Sequence, residues 1–265
     1  MLAVLAYRAA DVVAGVLPAS VADALASLLA RVAWLLRPPA RRALESNLER
    51  LLPALTPGRR RVLARQSFVS FARGFARFLR GPAAGPGRLR IEGAEHLAAA
   101  RASGRGVILL SAHLGDWELG AASIAALGVT LHIAARRQSA NAIEEVFARR
   151  RRASGLRVLP GGGRFATGAL ALRRGEWIAL MADRAPRRAA GRSVCAWAAA
   201  LAHRTGALVL PAVCVTEGGA RVLRIEPPLP PARCREGAFC DTLRGWLERW
   251  PGQWAAFEPL PAGLE

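Results

Sequence analysis

The residues best suited to proton transfer are a histidine and a glutamate five positions apart. His113 and Glu118 lie within 111–120, directly after the apolar run 106–110. Two helical residues five apart diverge by roughly 140° around the axis, so they could not touch if both were helical. The spacing therefore predicts that His113 lies in a strand-to-helix loop and Glu118 in the first turn of the next helix. There the carboxylate is predicted to hold the imidazole and raise its basicity, as in a general-base pair.

The elements that must position this pair alternate from Arg88 onward. Strands are predicted at 89–92, 107–110, 131–134, 157–159, 177–181, 208–215 and 221–225. Helices are predicted near 94–103, 117–127, 140–153, 164–174, 194–205 and 237–250. This order predicts an α/β sandwich with a largely parallel central sheet. In such sheets the site lies beyond the carboxyl ends of the strands, where His113 is expected.

The chain divides into three predicted regions: a membrane-associated helix region at 1–36, a helical pair with a linker at 37–87, and the α/β domain at 88–265. The first region is apolar but lacks an uninterrupted stretch of the ~20 residues that a clean spanning helix needs. One helical stripe of it consists of Val21, Leu25, Leu28, Leu29, Val32, Leu35 and Leu36, with Arg37, Arg41 and Arg42 following. This pattern favours a helix lying in, or dipping into, the membrane surface. An ordinary core helix is the alternative, and whether the segment spans the bilayer stays open.

A second apolar stripe occupies the helical pair. Phe68, Phe71, Phe75 and Phe78 recur at helical spacing among arginines. Such a stripe is more often core packing than lipid contact, and core packing is the prediction here.

Composition narrows the class of partner. The 265 residues carry 38 basic and 19 acidic side chains, a net charge of +19, and every basic residue is arginine. Such a balance suits an anionic lipid surface or a phosphate-bearing ligand. A nucleic-acid partner is not predicted, because the arginines are dispersed and no DNA- or RNA-binding motif is present. Four cysteines without metal-ligand spacing predict reduced, buried thiols and no metal site.

Several segments together resemble one family. Residues 91–97, 104–107 and 113–119, the last with the His-x4-Glu (HX4E) motif and Trp117, resemble the late acyltransferases of lipid A biosynthesis. These are the lauroyl/myristoyl acyltransferases of the lysophospholipid acyltransferase-like superfamily. The resemblance continues at Asn47-Leu48, Arg137-x3-Asn141, Arg151 ahead of Gly155, Asp183, 201–211 and 251–254. It implies a glycerophosphate-acyltransferase-like α/β sandwich preceded by helices that associate with the membrane.

The resemblance also implies an activity. The chain would move a fatty acyl group from the thioester of acyl carrier protein or coenzyme A to a hydroxyl of a lipid A precursor or related glycolipid. His113 would deprotonate that hydroxyl and Glu118 would orient His113. No metal or other cofactor is implied. The expected setting is the cytoplasmic face of the bacterial inner membrane, with an anionic lipid acceptor and an acyl carrier protein as partners.

Three further residues are predicted to bind substrate by the same resemblance. Arg137 and Arg151 map to positions that face an anionic headgroup or the transition state, and guanidinium suits phosphate because it donates two parallel hydrogen bonds. Arg150 is the alternative to Arg151 within the run 149–152. Asp183 is expected to fix one of these arginines, or else to be a turn residue. Asp116 and Asn141 are expected to cap helices.

Alternatives to a lipid A acceptor stay open. The acceptor could be another polar lipid, such as a phosphatidylinositol mannoside, a lysophospholipid or an aminolipid. The chain could instead be a catalytically inactive relative that binds lipid. The stretch 183–206 is shorter than in typical members, and Gly252 stands where glutamate is usual. These departures leave the acyl chain length and the acceptor open. The acyl donor and the oligomeric state are open as well.

Overall fold

A computed structural model describes residues 10–81, 89–134, 141–159, 165–184, 193–230 and 236–260. The side chains of 141–143 and 236–237 are outside this description.

A helical segment at 10–16 comes first, and three longer helices follow it. They are α1 (Ala19–Leu36), α2 (Pro38–Leu51) and α3 (Pro57–Arg80). Both breaks follow from the sequence: Pro38 and Pro57 each lie at the first helical position, where the missing N–H costs nothing. Thr56 caps α3 by accepting a hydrogen bond from the backbone N–H of Arg59.

The α/β part follows, and its elements alternate as the sequence predicts. The strands are β1 (Leu89–Glu92), β2 (Val107–Ser111), β3 (Leu131–Ile133), β4 (Arg157–Val158), β5 (Trp177–Met181), β6 (Leu208–Glu217) and β7 (Ala220–Ile225). The helices are α4 (Ala94–Ala102), α5 (Trp117–Ala125), α6 (Asn141–Ala153), α7 (Phe165–Arg173), α8 (Val194–Thr205) and α9 (Glu236–Arg249). A 3-10 turn at Pro251–Gln253 follows α9. The predicted α/β class with a largely parallel sheet is confirmed.

The seven described strands form one sheet in the order β1-β7-β6-β2-β5-β3-β4. β6, β2, β5, β3 and β4 are parallel, whereas β7 runs antiparallel to β6 and β1 follows the direction of β7. β2 lies at the centre and all five of its residues are buried. Because successive side chains point to opposite faces, Ile108 and Leu110 join one apolar cluster and Val107 and Leu109 another. Because β2 packs against an apolar cluster on each face, its residues form the continuous apolar run that the sequence shows before His113.

Helix α1 presents two different faces. Its small residues Ala22, Ala26, Ser27 and Ala30 are buried, and the helix packs against α3. The apolar stripe named above is exposed along its whole length, from 37% at Leu25 to 75% at Leu36. By length and composition α1 is the one helix of the described chain apolar enough to cross a membrane. The core-helix alternative does not fit the stripe, because its seven large apolar side chains are exposed, although Trp34 on the packed face is buried.

Candidate active site

The first candidate residue, His113, lies two residues past the end of β2. Its carbonyl accepts the backbone N–H of Ala255, and the adjacent Leu114 forms a β-bridge with Trp254. The C-terminal segment after α9 therefore fixes this loop from the other side. The His113 side chain is 15% exposed, so the imidazole is mostly enclosed but reaches the surface.

The imidazole is held by Asp183, seventy residues away in sequence. Nδ1 of His113 lies 2.8 Å from Oδ1 of Asp183, and the backbone N–H of His113 donates to Oδ2 at 2.9 Å. The strand register explains this contact. β2 and β5 are neighbours with Ser111 opposite Met181, so the residues two positions beyond each strand meet at the carboxyl edge of the sheet.

Asp183 is fully buried, and its surroundings favour the carboxylate. Burial alone would raise the pKa of Asp183, but the charge and hydrogen bonds of His113, with the Arg184 guanidinium, outweigh burial and lower this pKa. The indole Nε1–H of Trp254 donates to Oδ2 at 3.0 Å. A carboxylate only accepts hydrogen bonds, so in the neutral form of the ring Nδ1 of His113 carries the proton and Nε2 holds the lone pair. This is the tautomer that a general base requires.

Two predicted contacts have different partners in the structure. The sequence predicted that Glu118 holds His113 and that Asp183 binds an arginine. In the structure Asp183 holds His113, and Glu118 binds Arg151. Nη2 of Arg151 donates to Oε1 of Glu118 at 2.5 Å, and Nε lies 3.2 Å from the same oxygen. The physical reason is topological. Glu118 lies in the first turn of α5, on the side toward α6, while Asp183 is brought to His113 by the pairing of β2 with β5.

Of the two arginines predicted to bind substrate, Arg151 lies within the described residues and Arg137 does not. Arg151 is 11% exposed at its side chain, and its guanidinium lies 5.4 Å from the ring centroid of Phe147. Arg150, the alternative, is engaged elsewhere, since it donates to Asp11 near the N-terminus. Arg137 lies outside the described residues, as does the side chain of Asn141. Their roles stay predictions.

One comparison with known proteins identifies a family. The model of the bacterial lipid A biosynthesis acyltransferase family matches residues 2–243 of the 265. The chain belongs to this family of acyltransferases. A search of curated proteins found no significant match. The match ends before Trp254, so the indole that contacts Asp183 comes from beyond the matched range.

An aromatic row borders the histidine of this acyltransferase. The rings of His113 and Trp117 have centroids 5.1 Å apart, and Trp117 stacks on Phe71 at 6.1 Å. From there the row continues along α3 through Phe75 to Phe78, and Phe147 of α6 lies against both. Of the predicted core stripe, Phe68 is buried, whereas Phe71, Phe75 and Phe78 are half-buried. The core prediction is confirmed for Phe68. It fits Phe75 and Phe78 in part, because they pack against an apolar cluster that includes Leu79 and Val146. Phe71 lies instead beside Trp117 at the site.

Asp116 of the acyltransferase does not act as the predicted cap. It occupies the N-cap position of α5, but its carboxylate makes no capping hydrogen bond. Instead it accepts from Nε and Nη2 of Arg77 on α3, at 3.1 and 3.0 Å. No pattern within the loop signals this contact, because Arg77 lies thirty-nine residues earlier in another helix.

The thiols within the described residues match expectation. Cys195, Cys214 and Cys240 are buried thiols, and Cys234 lies outside the described residues. Burial raises the pKa of the Cys214 thiol to about 12, and the neighbouring Asp116 charge adds to this effect. The Cys214 thiol is therefore not suited to act as a nucleophile.

Proposed function

We propose that this protein moves a fatty acyl chain from the thioester of acyl carrier protein or coenzyme A to a hydroxyl of a lipid A precursor or related glycolipid. His113 acts as the general base. The observation that carries the proposal is the 2.8 Å contact between Nδ1 of His113 and the buried Asp183. It leaves Nε2 as the basic nitrogen of a partly exposed ring at the mouth of the central sheet.

The reaction proceeds by direct transfer. Nε2 of His113 takes the proton of the acceptor hydroxyl as its oxygen attacks the thioester carbonyl carbon. The C–S bond then breaks, the new ester forms, and the leaving thiolate takes the proton from the imidazolium. Asp183 holds the ring orientation and stabilises the imidazolium while it carries charge. The chemistry requires no metal or other cofactor, and the thioester is a co-substrate.

Glu118 and Arg151 have a role distinct from that of the base. The Glu118 carboxylate fixes the Arg151 guanidinium on the α6 side of the loop, and both side chains are mostly buried. Arg151 would contact the acceptor phosphate or the oxygen that becomes negative during attack, where a planar guanidinium can donate two hydrogen bonds. Arg137 is proposed to face the same anionic group. Glu118 thus serves catalysis by positioning Arg151.

The aromatic row suits the acyl chain. Phe71, Phe75 and Trp117 form a half-buried apolar surface that starts at the His113 ring and leads away along α3. A hydrocarbon chain laid on it would leave water and place its thioester end beside the base. Burial of each methylene contributes about 0.8 kcal/mol, which is enough to select for long chains.

The exposed stripe on α1 suits a lipid surface. Seven large apolar side chains lie open on one side of this helix, and Arg31, Arg37 and Arg42 are exposed beside them. We therefore place the protein at the cytoplasmic face of the inner membrane, with α1 in the interface and anionic headgroups near the arginines.

Transfer assays with the purified full chain test this proposal. Dodecanoyl, tetradecanoyl and hexadecanoyl thioesters of coenzyme A and of acyl carrier protein would be combined with three acceptors. These are the tetra-acylated disaccharide precursor of lipid A, a lysophospholipid and a phosphatidylinositol mannoside, with products identified by mass spectrometry. We expect a new ester on the lipid A precursor, and an H113A variant at least about a hundredfold slower. H203A, which removes an exposed histidine, is the matched control. Unchanged transfer in H113A would refute the assignment of the base.

A further inference from the structure

One arginine joins the membrane-facing helix to the loop of the proposed base. Arg77 of α3 donates from Nε and Nη2 to the two carboxylate oxygens of Asp116, three residues after His113. Its remaining terminal nitrogen, Nη1, donates to Oδ2 of Asp23 on α1 at 3.3 Å. A single guanidinium therefore contacts both α1 and the 113–116 loop.

The Asp116 end of this linkage is deeply enclosed. The Asp116 side chain is 3% exposed, and its backbone N–H donates to the carbonyl of Cys214 at 2.7 Å. Helix α3 approaches it closely because residue 74 is glycine: a Cβ there would lie 2.5 Å from Oδ1 of Asp116. Arg221 of β7 lies 3.7 Å from Oδ2. A buried carboxylate needs a cation to offset its desolvation, and the Arg77 fork supplies two aligned hydrogen bonds.

The Asp23 end lies on the packed face of α1, opposite the exposed apolar stripe. Asp23 is 38% exposed at its side chain, so its charge does not depend on Arg77 for solvation. One turn earlier on α3, Arg73 donates to Ser27 of α1 at 2.8 Å but makes no described contact with the loop. Both arginines donate hydrogen bonds to α1, but only Arg77 also donates to Asp116.

We propose that Arg77 is a positioning residue that fastens the His113 loop to α1, so that acyl transfer depends on α1 being docked against α3. This inference rests on the proposed function of His113. In the docked state Asp23 fixes the third nitrogen of the Arg77 guanidinium, and the fork on Asp116 keeps its orientation. When α1 leaves α3, Arg77 loses this restraint, and the loop that carries His113 becomes looser.

The test uses variants of the full chain bound to vesicles that contain phosphatidylglycerol. D23N removes the α1 end without disturbing Asp116. R77K keeps a charge beside Asp116 but cannot reach both partners with a fork. R73Q is the matched control, because it removes one hydrogen bond between α1 and α3 but leaves Arg77 on both of its partners. The readouts are hydrogen–deuterium exchange of peptides covering 111–120, and kcat and KM for transfer from the dodecanoyl thioester.

We expect D23N and R77K each to increase exchange at 111–120 and to lower kcat about fivefold, with the KM for the thioester changed less than about twofold. The D23N/R77K double variant should be no slower than the slower single variant, because both break one chain of contacts. R73Q should stay near wild type in both readouts. Any of three results would overturn the linkage. These are wild-type exchange and kcat in D23N, additive effects in the double variant, or an effect of R73Q equal to that of D23N.

The two proposals fail in different ways. If H113A keeps transfer activity, the role of His113 is lost, but the exchange of 111–120 in D23N still decides whether Arg77 joins α1 to the loop. If H113A loses transfer while D23N behaves as wild type in both readouts, the linkage alone is refuted.

Discussion

Trp254 donates its indole N–H to Oδ2 of Asp183 at 3.0 Å, and the same oxygen accepts the backbone N–H of His113. The other oxygen, Oδ1, faces Nδ1 of His113. Three N–H donors therefore converge on one buried carboxylate. Two of them donate to Oδ2 and the third to Oδ1. Neither oxygen can be replaced by a donor without leaving two N–H groups facing each other.

This arrangement predicts a severe effect of D183N. The amide oxygen would have to serve the two donors now on Oδ2, which places the NH2 group against Nδ1 of His113. The imidazole would then carry its proton on Nε2 and could not act as a base. We expect kcat to fall about a thousandfold with little change in KM, following the same logic as in serine proteases.

The measurement is steady-state transfer together with far-UV circular dichroism to verify folding. D241N, which changes an exposed aspartate on α9, serves as the control. A D183N enzyme with more than about a tenth of wild-type kcat would show that the tautomer is set by something other than Asp183.

The lowered pKa of Asp183 predicts an acid-dependent loss of stability. A carboxyl whose pKa is lower in the folded than in the unfolded chain stabilises the fold above its unfolded value and loses this contribution as pH falls. The free energy of unfolding of wild type relative to D183N should therefore shrink as pH falls below about 5 and through the ordinary value of 3.8. Urea titrations of both proteins between about pH 3 and 7 measure it. A difference that grows on acidification would contradict the assigned direction.

Much of the fold, but only part of the site, could be predicted from the sequence. All seven strands were predicted to within about two residues, because buried parallel strands and amphipathic helices have distinct local patterns. The position of His113 in a strand-to-helix loop followed from the same patterns. Its partner did not, because the contact with Asp183 depends on β5 lying next to β2 in the sheet. The order of strands is a property of the packed domain.

The Arg77–Asp116 pair was missed for a related reason. The position of Asp116 just before α5 predicted a helix cap, since aspartate is common at that position. A distant arginine from α3 makes two charge-assisted hydrogen bonds to it, which outweigh one capping bond. The signal that could have pointed to this contact is Gly74, whose missing side chain opens the space for Asp116.

The Glu118–Arg151 pair predicts a kinetic signature different from that of Asp183. E118Q and R151Q should each lower kcat about tenfold or more, and the double variant should be little worse than the slower single variant, because the two residues act as a unit. The pH dependence of kcat/KM should keep its wild-type shape in E118Q, since Nδ1 of His113 still faces Asp183. R152Q is a matched control one position along α6. A shifted pH profile in E118Q would instead support direct action on His113.

The exposed stripe of α1 predicts the strength of membrane attachment. Leu28 and Leu35 are 57% and 70% exposed, so L28Q/L35Q should leave folding intact. Loss of two leucines from a lipid interface should cost about 3 kcal/mol, which corresponds to about a hundredfold weaker binding to vesicles containing phosphatidylglycerol. Vesicle sedimentation measures this change. L170Q, at an exposed leucine of α7, should bind as wild type, and equal loss in both variants would argue against α1 as the contact surface.

The turn between His113 and α5 predicts a large effect of a single added methyl group. Gly115 has φ of +66°, and a Cβ at this position would lie 2.1 Å from the carbonyl oxygen of Cys214. That carbonyl belongs to β6 and also accepts the N–H of Asp116, so it cannot move without breaking the loop contact. G115A should therefore lower the free energy of unfolding by about 3 kcal/mol, from backbone strain and the forced shift together. Gly128 has φ of +86° but open space around it, so G128A isolates the conformational cost at about 1 kcal/mol. Urea unfolding of both variants compares the two terms. Equal losses would show that the close approach of β6 to the His113 loop contributes nothing.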